Sequence, residues 1–361
     1  MLNESAHGGD LESAIERCRH PATSFLDASS SLSPWSPRPI FLHAPLALRV
    51  YPDRCQRRIK VSLSAIHGLD QSFFLAGNGA SELFTWAARD ASRVGLSTIP
   101  SPCFGDYVRA ILCWDGSYSI HPLPLSWLPH APQPYPSIPP GDVLWLSNPH
   151  NPTGQLWSRA SLTRLLDQYK LVICDEAFLP MVEGGEEQSL IPLVETHPNL
   201  IVIRSLTKLY GMAGVRLGYA VAFPDRLSRW SGLRDPWPVN GLALHLADRL
   251  ISRPERYHAW CHKVQKWTTK EGAWLAASLS TIPGIKPMPS AANFVLIRGI
   301  FSLIPLLHSL ERVHRILLRD CRSFDQLGEN WLRIGYQNRR GNRRIIRAIR
   351  MELRPQLPIS F

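Results

Sequence analysis

Short apolar runs separated by amphipathic stretches dominate the middle of the chain. DVLWLSN (142–148), LVICDE (171–176), LIVIRSL (200–206) and YAVAF (219–223) are each too short for a core helix and rich in β-branched residues. Runs of this kind, without strict polar alternation, predict strands buried on both faces. A glycine turn at Gly77–Gly79 precedes a helix-like run from Ser81 to Val94, and STIP (97–100) and a helix near Tyr107 follow. Strands alternating with helices predict an α/β domain with a mainly parallel sheet. The tail changes character. ANFVLIRG (292–299), ILLRDC (316–321) and NWLRIGY (330–336) predict strands with helices between them, hence a smaller α+β domain. The expected organisation is an N-terminal arm over 1–45 packing with the small domain, a large domain over 46–250, and a small C-terminal domain over 251–361.

Length agrees with this division, since 361 residues exceed what one small core needs. With 45% hydrophobic and 19% charged residues, the composition is that of an ordinary globular protein. Many of the 31 prolines lie in connectors, as in Pro122–Pro140. The formal charge of +11 admits nucleic acid, an anionic membrane or small anionic ligands as partners. Its densest cluster, Arg339, Arg340, Arg343, Arg344, Arg347 and Arg350, alternates with Ile345, Ile346, Ala348 and Ile349. That pattern is the wet face of an amphipathic helix, so no nucleic-acid partner is expected. No run of about 18 apolar residues predicts a membrane span. The first 16 residues carry acids and no apolar core, unlike a signal peptide. Seven cysteines without C-x-x-C or metal-like spacing predict reduced thiols, a cytoplasmic location and no metal site.

Candidate chemistry gathers where the apolar runs end. Lys208 follows one run within SLTKLYGMAGVRLGY (205–219). A lysine there either reaches water or, desolvated, becomes a nucleophilic amine. Ser205 and Thr207 offer hydroxyls, and Arg216 offers a planar fork suited to phosphate. Asp175 closes LVICD at the kind of strand end where open α/β sheets bind ligands. Buried, it needs a positive partner, although metal binding or helix capping would also explain it. Asn148 and Asn151 in SNPHNPTG (147–154) belong to turn chemistry, and Asn151 could donate to a phenolate oxygen. Gly79 and Ala80 in AGNGASE (76–82) open a helix whose backbone N–H groups could bind phosphate. Phe104 in SPCFGDY could stack on a flat ring or simply fill core. Taken singly, each motif has a plain structural reading.

Their order decides between the readings. A glycine turn, an aromatic turn, N-P-T-G, D-x-A-[YF] and S-x-[ST]-K, with an arginine eight residues on, resemble the pyridoxal 5'-phosphate (PLP) enzymes of fold type I. The chain thus resembles the aspartate-aminotransferase fold over nearly its whole length. The resemblance implies that Lys208 is the Schiff-base lysine and that Asp175 pairs with the pyridinium nitrogen. It places Asn151 against the ring oxygen and Phe104 on the ring. Gly79, Ala80, Ser205, Thr207 and Arg216 hold the phosphate. Tyr51, in Y-P-D, reaches the phosphate of a partner subunit, so a homodimer is expected.

Within that class the chain resembles the threonine-phosphate decarboxylases of cobalamin biosynthesis. His7-Gly8-Gly9, GNGASE, DEAF, RSLTKLYGMAGVRLGY, DPWPVN, AANFVLIR and LLRDCRSFDQLGENWLRIG carry the likeness. It implies that His7, Gly8, Ser31, Asn151, Arg319 and Arg333 form the substrate site. An arginine pair suits a small amino-acid phosphate carrying two anionic groups. Phe178 stands where histidinol-phosphate aminotransferases usually have tyrosine. Ser31 and Ser33 stand where the decarboxylases have asparagine. The expected reaction is decarboxylation of L-threonine O-3-phosphate. The alternatives are amino transfer on a histidinol-phosphate-like substrate and a non-catalytic PLP-fold regulator that binds DNA.

Overall fold

The computed structural model describes residues 8–37, 47–127 and 132–354. Its strands in chain order are β1 (Leu26–Asp27), β2 (Phe74–Asn78), β3 (Ser97–Ser101), β4 (Tyr118–Pro122), β5 (Val143–Ser147), β6 (Leu171–Asp175) and β7 (Leu200–Ser205). They continue with β8 (Leu217–Ala222), β9 (Ile285–Pro287), β10 (Phe294–Gly299), β11 (Ile316–Leu317), β12 (Arg319–Asp320) and β13 (Trp331–Gly335). Seven form one sheet in the order β2-β8-β7-β6-β5-β3-β4. β8 runs antiparallel to both neighbours, and every other pairing is parallel.

The continuous apolar runs are explained by burial on both faces. Leu144, Leu146, Val172, Cys174 and Val202 enter one core, whereas Val143, Trp145, Leu171, Ile173, Ile201 and Ile203 enter the other. The two-residue period thus sorts one run between two cores. β2 and β4, which the sequence pattern did not announce, occupy the two edges. An edge strand meets fewer neighbours: β4 alternates exposed and half-buried residues instead of reading as an apolar run.

The C-terminal region carries a four-stranded antiparallel sheet, β12-β13-β10-β9. ILLRDC was expected as one strand but divides at Leu318. β11 pairs in parallel with β1 of the N-terminal arm, and β12 pairs with β13. One apolar run therefore ties the arm and builds the small sheet. The arginine-rich segment is the helix Arg339–Glu352, with Ile345, Ile346, Ala348 and Ile349 buried. No helix among the described residues is long and apolar enough to cross a membrane.

Behind the end of β6, the buried charges of Arg204 and Glu176 pair, and the exposed Glu186 extends the network. The guanidinium of Arg204 is 2.7 Å from Glu176 and 2.7 Å from Glu186. Glu176 also accepts from the Ser189 hydroxyl and the Leu190 N–H. Each buried charge here meets a partner, as a stable interior requires.

Candidate active site

The parallel strands β5, β6 and β7 end on one side of the sheet, and the segments leaving them surround a cavity of about 320 Å³. Asp175 closes β6, and Asn151 lies in the turn after β5. Lys208 lies in the short helix Leu206–Leu209 that follows β7. Ser205, Thr207 and Phe104 complete this floor, and Ala80 and Arg216 line one end. Gly8, Arg319 and Arg333 line the cavity as well.

Electrostatics distinguish the floor from an ordinary core. Burial lowers the Lys208 amine to about 8, and the Arg333 and Arg216 charges push the same way. Its Nζ donates to the Ser30 carbonyl at 3.4 Å and stands 5.7 Å from the Phe178 ring centroid. A neutral, nucleophilic amine is therefore accessible near neutral pH. Asp175 is shifted oppositely, to about 6, because burial penalises its charge. Its Oδ1 accepts the Ala177 N–H at 2.9 Å, and its Oδ2 accepts the Tyr107 hydroxyl at 2.6 Å. Tyr107 was missed as a site residue. Its only signal in the sequence is that a buried tyrosine needs a partner for its hydroxyl.

These residues fit PLP. A buried carboxylate held up to about 6 calls for a cationic partner such as a protonated ring nitrogen. Arg216 forms no ion pair among the described residues, and it borders the start of the helix Gly79–Val94. The Ser205 and Thr207 hydroxyls lie 2.7 Å apart beside it in the cavity wall. Gly79 has φ +76°, and a Cβ there would lie 2.5 Å from the Arg216 guanidinium. Only glycine lets the helix start come that close. Hydroxyls, a guanidinium and a helix N-terminus together suit a phosphate group.

The opposite end depends on strand register. β12 and β13 place Arg319 directly across from Arg333. Like charges opposed on a sheet repel, so such a pair calls for an anion between or beside them. Arg333 donates to Asn151 Oδ1 at 2.6 Å and to the Ser29 carbonyl at 3.1 Å, while its buried Nε has no partner. Burial and Arg319 lower its guanidinium to about 10. Arg319 donates to Ser323 Oγ at 2.6 Å and packs over the Phe324 ring at 4.9 Å. Asn151 spends its amide oxygen on Arg333, which leaves its amide nitrogen as the donor it can offer a ligand.

Two expected residues that the structure describes, Ser31 and Tyr51, do not line this cavity. Ser31 is wholly buried, with φ +51° and a hydroxyl lacking any partner, and it does not line the cavity. The left-handed backbone turns its side chain inward, and Ser29 and Ser30 take the cavity wall instead. Tyr51 is 79% exposed and stacks on Trp237 at 4.5 Å, outside this chain's cavity. His7 lies outside the described residues, whereas Gly8 lines the cavity. Asn148, considered with Asn151, exchanges hydrogen bonds with the Trp157 backbone and is structural.

Comparison with known proteins agrees with this geometry. The model of the family "Aminotransferase class I and II" matches residues 133–349, and the chain belongs to that family. Within it, the chain is 31% identical to a threonine-phosphate decarboxylase of Salmonella typhimurium, over 97% of each chain. It is also 31% identical to a histidinol-phosphate aminotransferase of Symbiobacterium thermophilum, over 85% of this chain and 83% of that one. In structure it resembles an L-threonine-O-3-phosphate decarboxylase from Porphyromonas gingivalis, with a TM-score of 0.75 and 24% identity, covering 87% of this chain and 94% of that one. The fold is that of the fold-type I, aspartate-aminotransferase-like enzymes, as expected.

Proposed function

We propose that this chain is a PLP-dependent decarboxylase that converts L-threonine O-3-phosphate into (R)-1-aminopropan-2-yl phosphate and carbon dioxide. The observation that carries this reading is the opposed pair Arg319 and Arg333, set beside a depressed lysine amine. The similarity to the Salmonella enzyme over nearly the full length supports it. Lys208 would hold the cofactor through its amine, with Asp175 at the ring nitrogen and Phe104 against the ring. Gly79, Ala80, Ser205, Thr207 and Arg216 would hold the phosphate, with Asn151 near the ring oxygen. Bound PLP supplies a protonated ring that takes up the electron pair of the breaking bond.

The chain's own residues do the rest. Arg333 and Arg319, with Gly8 and the preceding His7, bind the two anionic ends of the substrate. Holding both ends restricts rotation about the N–Cα bond, and that rotation selects which bond breaks. The free Lys208 amine, lowered to about 8, would carry the proton that Cα needs after carboxylate loss. Asp175, ionised, stabilises positive charge on the ring nitrogen.

The reading includes a homodimer in the cytoplasm. Tyr51, exposed beside Leu48 and Val50, would reach the partner's phosphate site. Arg216, which lines the cavity, is itself exposed. All seven cysteines are unpaired, which suits a reducing compartment.

The test is product analysis with L-threonine O-3-phosphate and PLP-loaded protein. Carbon dioxide and the amino-alcohol phosphate are expected without any keto-acid acceptor. Keto acid and pyridoxamine phosphate without carbon dioxide would instead establish the aminotransferase reading, which the similarity to the Symbiobacterium enzyme favours.

A further inference from the structure

No motif singled out Ser29, yet it takes part in four hydrogen bonds at the substrate end. Its hydroxyl accepts the Gly9 N–H at 2.8 Å and donates to Asp27 Oδ1 at 2.6 Å. Its own N–H donates to the same Asp27 oxygen at 2.8 Å. Its carbonyl accepts from Arg333 at 3.1 Å. The residue is 6% exposed, so these bonds are shielded from water and hold their geometry. Residues 8 and 9 lie directly on it: a Cβ on Gly8 would collide with the Ser29 carbonyl oxygen, and Gly9 has φ +85°. The chain crosses Ser29 here in a conformation that glycines alone permit. Gly8, Ser29 and Arg319 all line the active cavity, and all three also line a second cavity of about 280 Å³. The segment that Gly8 and Ser29 form therefore divides the two spaces.

We infer that Ser29 is a positioning residue: its hydroxyl clasps the N-terminal segment across the substrate end of the cavity, while its carbonyl aims Arg333. The clasp rests on the substrate reading above. It gives the arm, which β1 joins to β11, a further tie beside the site. The Ser29–Asp27 bond fixes the hydroxyl rotor, so its lone pair faces the Gly9 N–H. Arg333, drawn between the Ser29 carbonyl and Asn151, is held in one orientation behind that wall. An opened clasp joins the two cavities and lets water reach the arginines, which weakens their hold on an anion. The cofactor end, built on β6 and β7, is untouched.

Ser29→Ala removes the hydroxyl but keeps the carbonyl, so it isolates the clasp from the aiming of Arg333. Two measurements on the PLP-loaded full chain test it. In amide hydrogen exchange, the peptide containing Gly9 should exchange about tenfold faster in Ser29→Ala, the loss of roughly one net hydrogen bond. With L-threonine O-3-phosphate, KM should rise about tenfold and kcat stay within about twofold, with PLP absorbance and affinity unchanged. Ser29→Thr, which restores a hydroxyl, should recover most of both. Gly8→Ala displaces the same segment, so the double variant should be no worse than the worse single variant. Unchanged exchange at Gly9 overturns the clasp whatever the substrate. Faster exchange with unchanged KM overturns its role in positioning. Should the wild type release no carbon dioxide, the substrate reading fails, and exchange alone then decides the clasp.

Discussion

Asp175 and Glu176 are neighbours in the chain, both buried, and they meet opposite fates. Glu176 turns to the back of the sheet, where Arg204, Ser189 and Leu190 satisfy it. Asp175 turns to the cavity, where Tyr107 and Ala177 only partly offset its burial and it is held up to about 6. The cations divide likewise. Arg204 is enclosed by two glutamates, whereas Lys208 and Arg333 form no ion pairs among the described residues and have lowered affinities for protons. A buried charge matched within the chain builds scaffold. A buried charge left unmatched waits for a ligand, and the fold gives up stability to keep it so.

Variants can break or sharpen this contrast. Lys208→Ala has the largest expected effect: turnover and the borohydride-reducible link to PLP should both vanish. Reduction that tags another lysine would overturn the assignment of the site. Next is Arg204→Met, which leaves Glu176 buried without its partner. It should destabilise the fold by about 3–5 kcal/mol in urea denaturation. Little change there would mean that the network behind β6 is not scaffold.

Arg333→Ala and Arg319→Ala should each lower kcat/KM by the equivalent of about 2–5 kcal/mol while PLP affinity holds. An unchanged kcat/KM in either variant removes that arginine from the substrate end. The smallest effect concerns stability without cofactor. Lys208 titrates near 8 in the folded chain against an ordinary 10.5. Between those values the unfolded chain binds a proton that the folded chain lacks, so stability rises with pH across that window and is lost as pH falls through about 8. The rise is worth up to about 3 kcal/mol and should be absent in Lys208→Met, which should also be the more stable protein at neutral pH. A steeper loss at neutral pH in that variant would mean that Lys208 supports the fold.

How much of the site the sequence discloses depends on how each residue is placed. Lys208, Asp175 and Asn151 follow continuous apolar runs. Such runs predict parallel strands, and parallel strands bring their carboxyl ends together. Local pattern therefore suffices for the cavity floor, and for the glycine turn against which Arg216 lies. The other end is set by contacts that no local pattern encodes. ILLRDC reads as a single strand, and only its division between β11 and β12 puts Arg319 opposite Arg333. Tyr107 meets Asp175 across 68 positions, and Ser29 meets Arg333 across 304. Ser31 was expected at the wall by resemblance, but side-chain direction follows backbone dihedrals, and its φ of +51° could not be read from serine. The sequence by itself determined the α/β class, the strand ends and the family, because periodicity and turn chemistry are local. Register, long-range hydrogen bonding and the direction of individual side chains were decided only by the tertiary structure, because each arises where distant segments pack together.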